Sequence, residues 1–187
     1  MADVSVVLLH WPVLDKNGLI VTTALTNMDV HDIARSSRTY GVRRFFVATP
    51  VRALQLLAAK IMEHWETGYG STYNETRKDA LALVRLEADL DATMIAIERE
   101  TGQRPTLVMT SARPGPRRQT FAALRAELAA AGDAPYLIVL GTGWGLAPEI
   151  MERADVILEP IHGPTDYNHL SVRSAAAIML DRLLAPR

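Results

Sequence analysis

The chain reads as an α/β protein, a mostly parallel sheet with helices on both faces. Three observations predict this. Short runs rich in Val, Ile, Leu and Phe recur at positions 6–9, 45–47, 81–86, 106–109, 135–140 and 156–158. Most are separated by longer stretches whose apolar residues fall at helical spacing. Several of the runs are continuous rather than alternating, as in strands covered on both faces.

In chain order, the first strand at 6–9 is closed by His10, Trp11 and Pro12, and a turn follows at Asp15-Lys16-Asn17-Gly18,. A helix is expected over 27–40. Asp29, His31, Asp32, Arg35 and Arg38 leave it a thin apolar stripe, so much of its surface should be open or face something polar,. Gly41 stops it, and the strand at 45–47 ends at Thr49-Pro50. Over 52–65, Leu54, Leu57, Ile61 and Trp65 recur at helical spacing and are expected in the core,. The Gly, Tyr, Ser and Thr residues of 67–74 do not sustain a long regular element. A strand at 81–86 leads to a helix at 90–101, with Leu90, Met94 and Ile97 inward and Gly102 as its stop. A strand at 106–109 and a basic turn at 113–118 follow. Phe121, Leu124 and Leu128 then mark one face of a helix that ends at Gly132,.

With 187 residues the chain can bury one sizeable core, and a single domain over 1–187 is expected,. The absence of cysteine excludes disulfides and thiolate metal sites and fits a reducing cytoplasm,. The apolar run at 4–13 lacks a basic leader and a small-residue cleavage site, so it reads as a strand rather than a signal peptide. No stretch reaches membrane-spanning length. No His/Asp/Glu group has metal-ligand spacing, so no metal site is expected. The net charge of −1 argues against a broad nucleic-acid-binding surface,. It leaves room for local patches, at Arg35, Arg38, Arg43 and Arg44 and at Arg113, Arg117 and Arg118. A third place is Arg77-Lys78, which follows Tyr69 and Tyr73, aromatic rings suited to stacking on unpaired bases,.

The stretch from 135 to 184 is the most informative. A buried strand, Pro135-Tyr136-Leu137-Ile138-Val139-Leu140, runs into Gly141-Thr142-Gly143-Trp144-Gly145-Leu146, a glycine turn leading to a short helix with Pro148 in its first turn,. The strand at 156–158 runs into a long polar loop, 159–169, and an Ala/Leu helix closes the chain. Loops at the carboxyl ends of parallel strands are where α/β proteins bind ligands. The apolar arc of the last helix (Ile178, Met179, Leu180, Leu183, Leu184) is wider than a surface helix needs, which fits burial by its own core or by a second subunit as well,.

These loops resemble the SPOUT class of S-adenosylmethionine-dependent RNA methyltransferases, in particular its SpoU-like branch. That branch carries LGxExxG and then ADxxxxIPMxGxxxSLNVSVAAAI. The chain has Leu140-Gly141-Thr142-Gly143-Trp144-Gly145, then Ala154-Asp155-Val156-Ile157-Leu158-Glu159-Pro160-Ile161-His162-Gly163, and finally Tyr167-Asn168-His169-Leu170-Ser171-Val172-Arg173-Ser174-Ala175-Ala176-Ala177-Ile178. Order and spacing agree over about a third of the chain. Trp144 falls near the family's acidic position and His169 departs from its Ser-Leu-Asn arrangement. The branch also has a helix motif resembling GAIxRTAxAFGV, which His31-Asp32-Ile33-Ala34-Arg35-Ser36-Ser37-Arg38-Thr39-Tyr40-Gly41-Val42 matches, with Arg35 on the family's arginine.

The resemblance implies an α/β knot, the last helix tucked through a loop as a C-terminal trefoil knot. It implies S-adenosylmethionine as cofactor, held by Thr110, Ser111, Leu140, Gly141, Thr142, Gly143, Gly145, Ile161, Gly163 and Leu170. Arg35, Arg38, Asp166 and Asn168 are the candidate catalytic residues. The implied substrate is tRNA or rRNA, methylated on a base nitrogen or a ribose 2′-hydroxyl. The implied assembly is a cytoplasmic homodimer through the C-terminal helix, with no membrane association. Two other readings stand beside it: a non-catalytic nucleotide- or RNA-binding module of the same fold, and an unknotted doubly wound enzyme binding a phosphate-bearing cofactor at the glycine turn.

Overall fold

A computed structural model describes residues 2–186. The central strand is β1 (Asp3–Leu9), followed by a small hairpin of β2 (Val13–Leu14) and β3 (Ile20–Val21). The first half continues with α1 (Asn27–Thr39), β4 (Phe45–Ala48), α2 (Arg52–Glu66), α3 (Gly70–Tyr73), α4 (Glu75–Leu81) and β5 (Val84–Glu87). The second half comprises α5 (Leu90–Thr101), β6 (Thr106–Met109), α6 (Phe121–Ala130), β7 (Pro135–Gly141), α7 (Pro148–Met151), β8 (Val156–Ile157) and α8 (Val172–Leu184).

Six strands pair in the order β5-β4-β1-β7-β6-β8, every pair parallel. The expected α/β class and parallel sheet are therefore present. Alternate side chains divide between two apolar layers, as the pleat requires. Val4, Val6 and Leu8 of β1 face the layer of α1, α4, α6 and α8, whereas Val7 and Leu9 face that of α5, α7 and the hairpin. From β1 the chain first moves outward to β4 and β5, then crosses to build β6, β7 and β8 on the other side. That reversal opens a crevice beyond the carboxyl ends of β1, β6 and β7.

Three expectations need correction. The strand anticipated at 81–86 occupies Val84–Glu87, because Leu81 closes α4, whose N-cap Asn74 accepts from the Arg77 amide. The hairpin around the 15–18 turn was not anticipated. Its strands are two residues each, too short to carry a periodic signal,. The proposed core stripe of α2 is only half-buried: Ala58 alone is fully covered, and Leu57 is 44% exposed. This helix rests on the small elements α3 and α4 and on edge strand β5 rather than across the sheet, so less of its surface is covered.

Helix α8 begins at Val172, three residues before its Ala-rich run, because the Ser171 hydroxyl caps it by accepting from the Ser174 amide,. It lies between α1 and α6, burying Ala176, Met179, Leu180 and Leu183. Its wide apolar arc is thus used largely within one chain. No helix among the described residues is long and apolar enough to cross a membrane.

Candidate functional site

The crevice at the strand ends is a cavity of about 1070 Å³. It is walled by the loops that follow β6, β7 and β8. Its apolar lining includes Leu140, Ile161, Leu170 and Met179, and its polar lining includes Thr110, Thr142, Asp166, Asn168 and Arg173.

The second loop, after β7, is fixed by the hairpin. The Trp144 amide donates to the Leu14 carbonyl at 2.9 Å, and the Leu14 amide donates to the Gly145 carbonyl at 2.9 Å. Gly143 has φ +60°, and a Cβ there would sit 2.8 Å from the Leu14 oxygen, so the close approach and the left-handed backbone both require glycine,. The first loop is tied to the second by the Arg113 guanidinium, which donates to the Trp144 carbonyl at 3.4 Å. The third loop is tied to the first by the Asn168 side-chain amide, which donates to the Ala112 carbonyl at 2.7 Å. Thr110, buried at the end of β6, donates to the Val139 carbonyl at 2.8 Å and holds β6 against β7 at the cavity floor.

Beneath the glycine turn runs a chain of hydroxyls. The Thr142 hydroxyl donates to the Leu9 carbonyl at 3.1 Å, and Thr23 Oγ1 lies 2.5 Å from Thr142 Oγ1 and 3.1 Å from His10 Nδ1. Because Thr142 has only one proton and spends it on Leu9, Thr23 donates to Thr142, and His10 Nδ1–H donates to Thr23. The bare Nε2 of His10 is then buried without a partner. This assignment agrees with the lowered pKa of His10, about 4, caused first by burial and opposed by the charge of Asp29,.

On the α8 side, Arg173 donates to Asp29 Oδ1 at 3.1 Å and approaches Asp32 at 3.5 Å. Asp29 is itself buried near the N-terminus of α1, where the Thr26 hydroxyl donates to it at 2.5 Å. Asp29 and Arg173 therefore neutralise one another at the wall. Asp166, exposed at the mouth, makes no ion pair among the described residues.

The cavity gathers Thr110, Ser111, Leu140, Gly141, Thr142, Gly143, Gly145, Ile161 and Leu170 of the anticipated cofactor residues, together with Asp166 and Asn168. It does not include Gly163, which is exposed on the outer part of the third loop. Nor does it include Arg35 and Arg38. Both point outward from α1, and Arg35 lines a separate cavity between α1, α2 and α4. Thr23 and the Asp29–Arg173 pair were not anticipated there. Thr23 lies in a loop with no pattern of its own, and the pair joins residues far apart in sequence. Among the described residues no cluster of His, Cys, Asp or Glu could hold a metal ion.

The chain matches the family model described as SAM-dependent RNA methyltransferase over residues 3–185. It is 43% identical over 183 residues to an uncharacterized protein of Aquifex aeolicus, covering 98% of this chain and 89% of that protein. It is 46% identical over 177 residues to a tRNA (guanine-N(1)-)-methyltransferase of Nitratidesulfovibrio vulgaris, covering 95% of this chain but only 41% of that protein. Its fold is similar to that of the SpoU methyltransferase AviRb from Streptomyces viridochromogenes, with a TM-score of 0.58 at 16% identity, covering 97% of this chain and 58% of the other.

Proposed function

We propose, for a chain that belongs to the SAM-dependent RNA methyltransferase family, that the three-loop cavity holds S-adenosylmethionine and that Asp166 serves the methyl acceptor at its mouth. When bound there, the cofactor supplies a methyl group on a sulfonium centre, open to in-line displacement. The cavity fits such a ligand. Adenosine needs an apolar slot edged by backbone groups, and Leu140, Ile161 and the glycine turn provide one,. A sulfonium is a cation, and Asp166 is a carboxylate on this wall with no counter-ion among the described residues. The juxtaposition of Asp166 and Asn168 above a glycine-built slot carries the reading.

In this reading the side chains have separate tasks. The glycine turn, locked by the hairpin, fixes the donor so that the acceptor approaches in line. Asn168, held to Ala112, orders the third loop. Asp166 accepts the proton released by the acceptor. The acceptor is a tRNA base nitrogen carrying a proton, since a carboxylate takes a proton from a base N–H more readily than from the less acidic ribose 2′-hydroxyl. The guanine-N(1) activity named for the Nitratidesulfovibrio relative is consistent with this. The chain spans about two fifths of that relative, and the remainder of it lies outside the match. A cytoplasmic homodimer through α8 and a trefoil-knotted C-terminus complete the proposal.

The test is incubation with labelled S-adenosylmethionine and unmodified tRNA, followed by nuclease digestion and mass analysis of the nucleosides. A methylated base supports the reading, and a 2′-O-methyl nucleoside replaces the acceptor. Cofactor binding without any labelled product leaves a binding module instead.

A further inference from the structure

Between α1, α2 and α4 lies a second cavity of about 520 Å³, within the range of about 300–1,000 Å³ usual for ligand sites,. Its walls carry His31, Arg35, Lys60, His64, Trp65 and Arg77. The Arg77 guanidinium stacks 4.9 Å above the Trp65 ring, and His31 and His64 meet that ring edge-on at 5.4 and 5.3 Å. Among the described residues Asp32 is the one acid on the wall, and it faces Arg173 at 3.5 Å. Among the described residues none of Arg35, Lys60 and Arg77 forms a salt bridge. His31 Nδ1 and Arg77 Nε are buried with no hydrogen-bond partner.

We infer that this cavity is a nucleotide subsite, where an unpaired residue of the RNA substrate stacks its base against Trp65 and sets its phosphate among Lys60, His64 and Arg77. The chemistry converges on that ligand. Clustered cations without counter-ions call for an anion, and the orphaned Arg77 Nε–H calls for an acceptor that a phosphate oxygen supplies,. An indole already layered with a guanidinium is a stacking platform for a base. Burial lowers the pKa of His31, with the charges of Arg77, Arg35 and His64 adding to the effect and Asp32 opposing it, so the ring itself senses the positive field. Beyond the cavity, Tyr69 and Tyr73 stack on one another at 5.8 Å and are 74% and 73% exposed, extending an aromatic track along α3. Arg173 touches Asp29 of the methyl-transfer cavity and Asp32 of this one. One strand could therefore place the acceptor in the first cavity and a neighbouring nucleotide in the second. The inference rests on the RNA-methyltransferase reading above.

The experiment measures binding of unmodified tRNA transcript by fluorescence anisotropy across a salt series, for the whole chain and for Lys60→Gln, Arg77→Gln and Trp65→Leu. Calorimetric titration with S-adenosylmethionine runs alongside. Each charge removal is expected to weaken tRNA binding by about three- to tenfold at 0.1 M salt and to reduce the slope of log K against log salt by about 1. Trp65→Leu should weaken binding by about tenfold with the slope unchanged. Cofactor affinity should stay constant throughout. Wild-type tRNA affinity and slope in all three variants, with cofactor binding intact, would overturn the subsite. A wild-type chain that binds the cofactor but no RNA would sink the parent reading instead, and that failure appears before any substitution is made. Should Arg77→Gln lose its fold, seen as lost cofactor binding, Lys60→Gln at an exposed position still decides the question.

Discussion

Arg173 stands between two concavities made of opposite materials. On one side, the strand-end cavity is shaped by the glycine turn and its hairpin contacts, with apolar side chains, hydroxyls, the neutralised Asp29–Arg173 pair and the acid Asp166 around them. On the other, the cavity of α1, α2 and α4 is built from long cationic and aromatic side chains on three helices. Backbone geometry is rigid and indifferent to sequence apart from its glycines, which suits a ligand that must be held in one pose. A cluster of mobile cations suits a polyanion, whose affinity comes from charge and tolerates imprecise placement. The difference suggests a division between chemistry and grip, and substitutions on each side should fail in different ways.

The largest effect is expected at Asp166. Asp166→Ala should lower the methyl-transfer rate by about 10²–10⁴-fold, the range for loss of a positioned proton acceptor, while cofactor binding measured by calorimetry changes little. Equal losses in rate and in cofactor affinity would mean that Asp166 holds the donor rather than serving the acceptor. Gly143 should fail the other way. Gly143→Val forces a β-branched residue to φ +60° with its Cβ 2.8 Å from the Leu14 oxygen, so the hairpin must move away from the turn,. Strain of about 1–3 kcal/mol and a weakening of cofactor binding by about 10–100-fold follow. Gly145→Ala is the control. Its φ is +109° but its Cβ would meet nothing within 4 Å, so it should show the backbone penalty with less displacement of the hairpin. If both substitutions weaken binding equally, the contact with Leu14 is not what sets the turn.

The two cavities also differ in how far the sequence reveals them. The strand-end site was readable because its parts are contiguous. A strand, a glycine turn and a polar loop follow one another within 135–170, so their order is visible in one stretch, although β6 between β7 and β8 and the hairpin at Leu14 complete their placement. Its remaining members were hidden by distance. His10, Thr23 and Thr142 come together only because β1 and β7 pair in register from Asp3–Pro135 to Leu9–Gly141, and no local signal announces that pairing. The second cavity draws on α1, α2 and α4, and its residues look like solvated helix faces when read singly. Trp65, expected in the core by its spacing, does pack against it in part, and its remaining surface layers with Arg77 because α2 lies at the sheet margin. Arg35 was placed with the catalytic residues by resemblance, yet in one chain it lines this second cavity.

The hydroxyl chain beneath the glycine turn gives a pH signature confined to the first region. His10 is buried and neutral, with a folded pKa of about 4 against 6.5 for the free side chain. Between those values the unfolded chain binds the proton more readily, so stability rises with pH. The contribution is complete above about pH 6.5, shrinks as pH falls towards 4, and amounts to about 3 kcal/mol across the window. Denaturant unfolding at pH 7 and 4.5 should show His10→Gln losing about 2–3 kcal/mol less than the unsubstituted chain over that interval. Parallel losses would place the acid sensitivity elsewhere in the chain.

The smallest effect expected is at the shared wall, and it bears most directly on whether the two cavities work independently. Arg173→Met keeps the aliphatic packing but leaves Asp29 buried with the Thr26 hydroxyl as its remaining side-chain donor. Losing the partner of a buried carboxylate costs about 1–3 kcal/mol. The Arg173 side chain is 32% accessible and water can reach the gap, so a value near the lower end, about 1 kcal/mol, is expected,. Asp29→Asn removes the stranded charge, so the double variant should recover most of that loss, a coupling that a double-mutant cycle reads from unfolding midpoints. Freed from Arg173, Asp32 would place an uncompensated carboxylate in the cationic cavity, and tRNA binding should weaken modestly while cofactor affinity holds. A variant that loses cofactor affinity but keeps tRNA binding would reverse the relation, making Arg173 a member of the donor site rather than the wall between two sites.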